Sequence, residues 1–353
     1  MSTASLPTPL PTKPLGTDGP IVPAMAVGMM SLGGAYGPGG DDPSRLAFLD
    51  ALYAIGARHW DNADIYGDSE DLVGKWITAN PEKRKDVFLT TKFGFTGTIT
   101  TRALNSDPAY VKEACARSLE RLKTDYIDLY YCHRVDGKTP IEETVKAMVE
   151  LKNQGKIKYI GLSEVTASTI RRAHAVHPIT ALQIEYSPWA LDIETISGPG
   201  AGPPSILDTC KELGIAVVAY SPLGRGFLTG AIKSPADVAG DWRKMLPRFQ
   251  PENFDKNFEL VRKIEEIARS KGVTPSQLVL AFLLAQWDGV HPLFGTKSVD
   301  RAEENLAALS VKLTDDEIRA VRKACDDCVI TGSRYPEGAT LLLLGETPEL
   351  KKA

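Results

Sequence analysis

The chain has 353 residues, of which 43% are hydrophobic and 24% are charged. This composition is ordinary for a soluble globular protein, and the length suits either two average domains or one large α/β barrel. The formal net charge of -4 at pH 7 gives no electrostatic reason to expect binding to nucleic acid or to an anionic membrane.

Cysteine usage and the N-terminal composition predict a cytoplasmic protein without a metal site. The five cysteines are scattered and no Asn-x-Ser/Thr sequon occurs, which suits a reducing compartment. The pair Cys325 and Cys328 lacks the second pair or nearby histidine that a zinc site needs. No secretory signal pattern is present, and the apolar run at 21–32 is too short for a membrane span.

Composition divides the chain into three segments. Residues 1–19 are rich in proline and small polar residues, which predicts a flexible leader. Residues 20–328 carry a continuous pattern of short strands and helices without a linker, so we expect one domain. Residues 329–353 form the C-terminal tail.

Short apolar runs alternate with amphipathic segments along that domain. The predicted strands cover residues 25–33, 59–61, 86–93, 125–133, 158–163, 181–186, 215–220 and 290–294. The predicted helices cover residues 44–55, 69–80, 108–122, 140–154, 167–176, 205–213, 258–270, 276–286, 299–309 and 314–325. The segment 222–251 is predicted to be mostly loop.

Strict alternation of strands and helices implies a parallel sheet. Eight such units in about 300 residues favour a (β/α)₈ TIM barrel over an open sheet. We therefore predict a single α/β domain with an added C-terminal helix and long loops at the C-terminal face of the barrel. In this fold the C-terminal ends of the strands face one site.

Four residues with acid–base chemistry follow three successive predicted strands: Asp61, Tyr66, Lys92 and His133. A lysine ammonium beside Tyr66 is expected to lower the phenol pKa from about 10, while Asp61 keeps that lysine charged and oriented. A neutral His133 can orient a carbonyl oxygen or relay its proton. Each residue has a structural explanation on its own, such as loop packing or helix capping. Together they predict an acid–base centre aimed at a polar double bond.

The sequence around these four residues resembles the aldo-keto reductase family. The matching segments are DNADIYGDSE at 61–70, TKFG at 91–94, DLYYCH at 128–133 and IGLS at 160–163, within a similarity that runs from about residue 22 to 309. The resemblance leans toward the pyridoxal-reductase-like branch with a long loop after strand seven. It implies a (β/α)₈ barrel that reduces aldehydes or ketones with NADPH. Tyr66 would be the general acid, Lys92 and Asp61 the residues that adjust its pKa, and His133 the residue that orients the carbonyl.

The resemblance also implies a set of cofactor contacts. Ser163 and Gln183 match residues that bind the nicotinamide carboxamide, and Tyr220 matches the aromatic residue that stacks on the nicotinamide. Glu164 departs from the asparagine often found after that serine. The pyrophosphate-side loop would include Ser221, Leu223 and Gly224.

The last strand and helix predict a phosphate site on physical grounds. The segment through Gly295 and Thr296 brings Lys297 and Arg301 beside a helix N-terminus, where backbone N–H groups and the helix dipole favour an anion. A 2′-phosphate fits better than a ribose hydroxyl, which favours NADP over NAD. In the family pattern, Glu304 and Asn305 then contact the adenine.

Two other functions remain open for this barrel. Lys92 could form a Schiff base in an aldolase, although Asp61 argues against a neutral lysine. A regulatory module that binds the cofactor with little turnover, like the potassium-channel β subunits, would retain the same site. We expect a small-molecule carbonyl substrate and a monomer or weak homo-oligomer. Five aromatic residues are candidates for either a substrate pocket or core packing: Tyr36, Trp60, Trp189, Phe227 and Trp242.

Overall fold

Eight parallel strands close into a barrel, which confirms the predicted (β/α)₈ fold and the single domain. The computed structural model describes residues 4–97, 103–198, 202, 204–339 and 342–351. The strands pair in the order β6-β7-β8-β1-β2-β3-β4-β5, and each pair is parallel. They are β1 (Ala26–Gly28), β2 (His59–Asp61), β3 (Phe88–Phe93), β4 (Ile127–Cys132), β5 (Ile157–Ser163), β6 (Ala181–Glu185), β7 (Ala216–Tyr220) and β8 (Val290–Gly295).

α-Helices connect the strands and surround the barrel. They are α1 (Asp42–Ala54), α2 (Ser69–Ala79), α3 (Pro108–Leu122), α4 (Ile141–Asn153), α5 (Ala167–Val176), α6 (Ile206–Leu213), α7 (Pro251–Lys271), α8 (Pro275–Leu284), α9 (Val299–Leu306) and α10 (Asp315–Asp326). Within the described ranges, every one of these helices is too short or too polar to cross a lipid bilayer.

The strands alternate their side chains between the barrel interior and the surrounding helices. On β4, Leu129 and Tyr131 point into the interior core, whereas Tyr130 and Cys132 join the layer beneath the helices. Both faces are therefore buried, as expected for a closed parallel sheet. This is why the strands read as continuous apolar runs in the sequence.

An antiparallel hairpin covers the end of the barrel opposite the strand C-termini. Residues Thr12–Pro14 pair with Ile21–Pro23, and Leu15 is fully buried with Val22 against interior residues such as Ala216. The Lys13 ammonium donates to the Val290 carbonyl at 2.5 Å. The predicted leader at 1–19 thus includes one strand of this hairpin, Thr12–Pro14, and a side chain that is buried against the barrel, Leu15. Residues 1–3 of the predicted leader lie outside the described residues.

Two element boundaries differ most from the sequence prediction. The first strand is only Ala26–Gly28, because the chain turns where the Leu32 N–H donates to the Met29 carbonyl. Helix α7 starts at Pro251 instead of residue 258, since a proline at the first helical position needs no N–H partner. The added helix α10 begins with a capping box, in which Thr314 and Glu317 are bonded reciprocally.

The long segment between β7 and α7 folds into short 3₁₀ turns and packs against a second apolar core. Phe227 stacks on Trp189 with ring centroids 4.4 Å apart, and Phe249 meets Phe227 edge-on at 5.4 Å. These rings belong to a cluster that includes residues of α7, α8 and α10. The packing anchors this segment beside the C-terminal rim of the barrel.

Candidate active site

A buried ion pair lies at the C-terminal ends of β2 and β3. The Lys92 ammonium bonds to Oδ1 of Asp61 and donates to the Asn62 carbonyl at 2.6 Å. Lys92 and Asp61 have side chains that are 0% and 2% exposed. Oδ2 of Asp61 accepts from Thr90 Oγ1 at 2.7 Å and from Gln183 Nε2 at 2.8 Å. Full hydrogen bonding of both carboxylate oxygens offsets the cost of burying the charges.

Tyr66 reaches this ion pair from the loop after β2. Its phenol oxygen lies 3.4 Å from Lys92 Nζ, and that ammonium is 4.9 Å from the ring centroid. The backbone holds the ring in place, because the Tyr66 N–H donates to Ala63 and the Tyr66 carbonyl accepts from Ser69. The structure thus brings together three of the four predicted residues in direct contact.

His133 completes the set from the loop that follows β4. Its ring stands edge-on to Tyr66, with centroids 5.9 Å apart, and packs edge-on to Phe95 at 5.1 Å. The His133 N–H donates to the Phe93 carbonyl at 2.7 Å. The buried Nδ1 atom has no hydrogen-bond partner among the described residues.

The electrostatics of the site keep Tyr66 and His133 neutral. Burial, followed by the negative charge of Asp61, raises the pKa of Tyr66 well above its usual value. The net shift is therefore opposite to the predicted lowering of this pKa, because burial and the Asp61 charge outweigh the favourable effect of the nearby Lys92 ammonium. Burial, with Arg134 and Lys92 nearby, holds the pKa of His133 well below its usual range. Burial also lowers the pKa of Lys92, and Asp61 opposes that shift.

The residues predicted to meet the nicotinamide lie on β5, β6 and β7: Ser163 and Tyr220 end their strands, and Gln183 is the middle residue of β6. The Ser163 hydroxyl accepts from Arg134 Nη1 at 3.0 Å, and Gln183 donates to Asp61 as described above. The Tyr220 hydroxyl donates to Oε1 of Glu164 at 2.8 Å. These side chains line the barrel mouth next to the Asp61–Lys92 pair.

Glu164 occupies a strained and fully paired position. Its φ angle is 50°, a conformation that side chains other than glycine rarely adopt. Its carboxylate accepts from Arg334 at 3.1 and 3.3 Å and from the Glu185 N–H at 3.2 Å. Arg334 lies on the C-terminal tail, 170 residues away, and was missed because no local pattern in the sequence indicates this pairing. The tail thus contributes to the site.

Three residues of the turn after β7 have left-handed backbone conformations. Ser221 and Gly224 have φ angles of 50° and 56°, and Arg225 has 59°. A Cβ atom at Gly224 would come within 2.6 Å of the Trp189 ring, so only glycine fits there. Leu223 supplies the carbonyl that accepts from Gly226. The predicted pyrophosphate-side residues therefore form one tight turn at the rim.

The predicted phosphate site lies at the end of β8 and the start of α9. The Lys297 ammonium crosses to the loop after β1 and donates to the Pro38 carbonyl at 2.8 Å. Arg301 is exposed and forms no ion pair within the described part of the chain. Around them, the Thr296 carbonyl accepts from Ser31, Gly295 is exposed, Glu304 is half-buried and Asn305 is buried.

The five candidate aromatic residues separate into two groups. Trp60, Trp189 and Phe227 are 0%, 4% and 0% exposed and pack in the core. Tyr36 and Trp242 are half-buried and contact each other, with centroids 5.8 Å apart. Arg225 stacks over the Trp242 ring at 4.9 Å, which places this aromatic pair beside the turn after β7.

Metal ligation has no candidate in the described residues. No three His, Cys, Asp or Glu side chains converge there in a way that could hold an ion. All five cysteines are free, and burial raises the pKa of Cys325 to about 12. Such a thiol is a poor ligand and a poor nucleophile at neutral pH.

Comparison with known proteins agrees with this geometry. The model of the aldo/keto reductase family matches residues 24–326. Aldo-keto reductase str7 of Strobilurus tenacellus is 47% identical over 348 residues, which cover 97% of this chain and 99% of that protein. Aldo-keto reductase yakc of Schizosaccharomyces pombe, whose name specifies NADP(+), is 46% identical over 348 residues with the same coverage. The chain therefore belongs to the aldo/keto reductase family.

Proposed function

We propose that this protein reduces an aldehyde or ketone to an alcohol with NADPH and also catalyses the reverse oxidation. The observation that carries the proposal is the contact of the Tyr66 phenol with the buried Lys92–Asp61 pair, opposite a neutral His133. Membership of the aldo/keto reductase family supports the reaction type. The name of the relative yakc supports the choice of cofactor.

The residues at the rim of the barrel fit NADPH. Arg301 is an exposed cation without an ion-pair partner in the described ranges, and it lies beside the start of α9. A helix start of this kind favours a phosphate group, with Lys297 beside it. Ser163, Gln183 and Tyr220 would hold the nicotinamide, with Glu164 as an additional acceptor. The turn at Ser221, Leu223 and Gly224 would hold the pyrophosphate, and Glu304 and Asn305 the adenine.

The proposed reaction assigns a separate task to each residue of the centre. Bound NADPH supplies the hydride that forms the new C–H bond at the carbonyl carbon. Tyr66 donates its phenol proton to the carbonyl oxygen as the C=O double bond becomes single. The Lys92 ammonium, 3.4 Å away, stabilises the phenolate that remains. His133, being neutral, can donate to the carbonyl oxygen and orient it.

A Schiff-base aldolase fits the geometry less well. Lys92 is fully buried and bonded to both the Asp61 carboxylate and the Asn62 carbonyl. A Schiff base requires a neutral amine with a free lone pair. Forming one here would require breaking the ion pair and leaving the Asp61 carboxylate buried without its cation.

The substitution Tyr66→Phe tests the proposal because it removes only the phenol oxygen. We expect kcat for aldehyde reduction to fall at least about 100-fold, the usual effect of losing a general acid. The dissociation constant of NADPH, measured by fluorescence quenching, should stay nearly constant. Full reductase activity in this variant would show that Tyr66 is not the acid.

The wild-type protein itself separates the remaining functions. Loss of reduced-nicotinamide absorbance with a panel of aldehydes is the expected result. Tight NADPH binding without turnover of any aldehyde would favour a cofactor-sensing module. Borohydride trapping of a substrate on Lys92 would favour the aldolase.

A further inference from the structure

The loop that carries Tyr66 is held by a side chain from a different barrel unit. Arg121 lies in the last turn of α3, and its Nη1 atom donates to the Asp64 carbonyl at 3.1 Å. Its Nη2 atom donates to the Gly67 carbonyl at 2.5 Å. These two carbonyls lie on either side of Tyr66 in the chain. One guanidinium group therefore fixes both ends of the segment that presents the phenol.

Carboxylates at the start of α2 fix Arg121 in turn. Oδ2 of Asp71 accepts from Arg121 Nε at 3.0 Å and from Nη2 at 2.9 Å. Oε2 of Glu70 lies 3.1 Å from Nη1, and Oε1 of Glu70 accepts from Thr91 at 2.7 Å. Since Thr91 precedes Lys92 on β3, this network connects the loop to the strand that carries the lysine.

The backbone around the loop leaves little room for another arrangement. A Cβ atom at Gly33 would come within 1.9 Å of the Tyr66 carbonyl oxygen, and one at Gly74 within 2.1 Å of the Arg121 carbonyl oxygen. Gly67 has a φ angle of 60°, which glycine adopts without strain. The Asp64 N–H donates to the Lys92 carbonyl at 3.1 Å. Close backbone contacts thus bring α3 near enough to α2 for Arg121 to reach the loop.

From these contacts we infer that Arg121 is a positioning residue that sets the distance from the Tyr66 phenol to Lys92 and to the carbonyl oxygen of the substrate. The inference rests on the proposed role of Tyr66 as the proton donor. Arg121 does not touch the ion pair or the predicted cofactor residues. Its removal should therefore affect proton donation and leave cofactor binding nearly unchanged.

The test compares Arg121→Gln and Arg121→Lys with Arg117→Gln. Arg117 lies one turn earlier on α3, where its guanidinium bonds to Glu113 and lies over the Tyr110 ring, 5.3 Å from the centroid. It has no hydrogen bond to the 64–67 backbone in the described structure. It therefore controls for loss of one positive charge at this end of α3. For each full-length variant, kcat, KM, the NADPH dissociation constant and the D₂O solvent isotope effect on kcat are measured with one aldehyde.

We expect Arg121→Gln to lower kcat by about 10- to 100-fold, because a displacement of about 1 Å at a reacting group has effects of this size. The NADPH dissociation constant should change by less than about 2-fold, whereas the solvent isotope effect should increase because proton transfer becomes slower. Arg121→Lys should recover part of kcat, since an ammonium can reach one carbonyl but lacks the planar fork of five donors. Arg117→Gln should match the wild type.

Three results would overturn the inference. The first is an Arg121→Gln variant that behaves like Arg117→Gln. The second is an Arg121→Gln variant in which kcat falls by the same factor as the fraction of protein that binds NADPH, while the isotope effect is unchanged. Such a variant would have lost activity only because part of the protein is unfolded. If Arg121→Gln is insoluble, Asp71→Asn replaces it, because this substitution removes the carboxylate that orients Arg121. The third contradicting result is an Asp71→Asn variant with unchanged kcat and an unchanged isotope effect. Full activity of Tyr66→Phe would instead overturn the proposed function.

Discussion

Asp64 and Tyr66 are two residues apart on one loop, yet they face different surroundings. Tyr66 faces the Lys92–Asp61 pair, whereas Asp64 lines a cavity of about 370 Å³ together with Glu70 and Arg121. Burial and the nearby Glu70 raise the pKa of Asp64 to about 7. The Oδ1 atom of Asp64 is buried without a partner in the described residues. The folded protein therefore carries a carboxyl group that costs free energy when it ionises.

The pKa of Asp64 predicts that Asp64→Asn stabilises the protein more at pH 8 than at pH 5. A carboxyl group with a raised pKa binds more protons in the folded than in the unfolded state between about pH 4 and 7, so its contribution to stability is lost as pH rises through that window. The Asp64→Asn variant has no carboxyl group at this position, so it does not lose this stability as the pH rises. We expect its advantage in free energy of unfolding to grow by about 1–3 kcal/mol from pH 5 to pH 8, measured by urea denaturation. An advantage that is equal at both pH values would contradict the prediction.

At the scale of elements, the ends of the predicted strands were enough to locate the site, whereas the sequence pattern did not predict the N-terminal hairpin. Asp61, Lys92 and His133 meet because parallel strands in a barrel end at one face, so their order along the sequence was enough. The Thr12–Pro14 strand has only three residues among several prolines. Such a short segment cannot show the alternation of apolar and polar residues from which a strand is predicted. Its order comes from pairing with Ile21–Pro23 and from burial under the barrel, which only the closed fold provides.

Weakening the packing of the hairpin against the barrel is expected to lower the stability of the protein without lowering its catalytic activity. Leu15 is 0% exposed against the barrel interior, whereas Ile21 on the same hairpin is 65% exposed. Leu15→Ala should lower the free energy of unfolding by about 2–5 kcal/mol because it leaves a cavity. Ile21→Ala, the matched control, should change it by less than about 0.5 kcal/mol. Urea denaturation and kcat/KM would be measured on both, and a Leu15→Ala variant as stable as the control would show that the hairpin does not support the barrel.

At the scale of the whole molecule, sequence reasoning found the local chemistry and missed the long-range pairing. The four motifs lie on single strand–loop units, so each could be recognised within ten residues. The Arg334–Glu164 pair joins positions 170 residues apart, and Arg121 reaches a loop 54 residues earlier. Such pairs depend on which elements the closed barrel brings together. The raised pKa of Tyr66 was also missed, because it follows from burial and from the position of the Asp61 charge.

The net charge of the whole molecule bears on where its affinity for NADPH originates. With 41 Lys and Arg against 45 Asp and Glu, the net charge of -4 gives no long-range attraction for an anionic dinucleotide. Affinity for the 2′-phosphate must then come from local cations, of which Arg301 is exposed and unpaired in the described structure. Arg301→Gln should weaken NADPH binding about 10-fold, the effect of one charge-assisted contact.

NADH is the internal control for this substitution because it lacks the 2′-phosphate. The dissociation constant of NADH should stay the same in Arg301→Gln, and the weakening of NADPH binding by added salt should become shallower because one screened charge pair is gone. Arg262→Gln, at an exposed cation of α7 that pairs with Glu259, should leave both cofactors unaffected. Equal losses for NADPH and NADH would place Arg301 away from the 2′-phosphate, and the selectivity for NADP would then have to arise elsewhere on the rim.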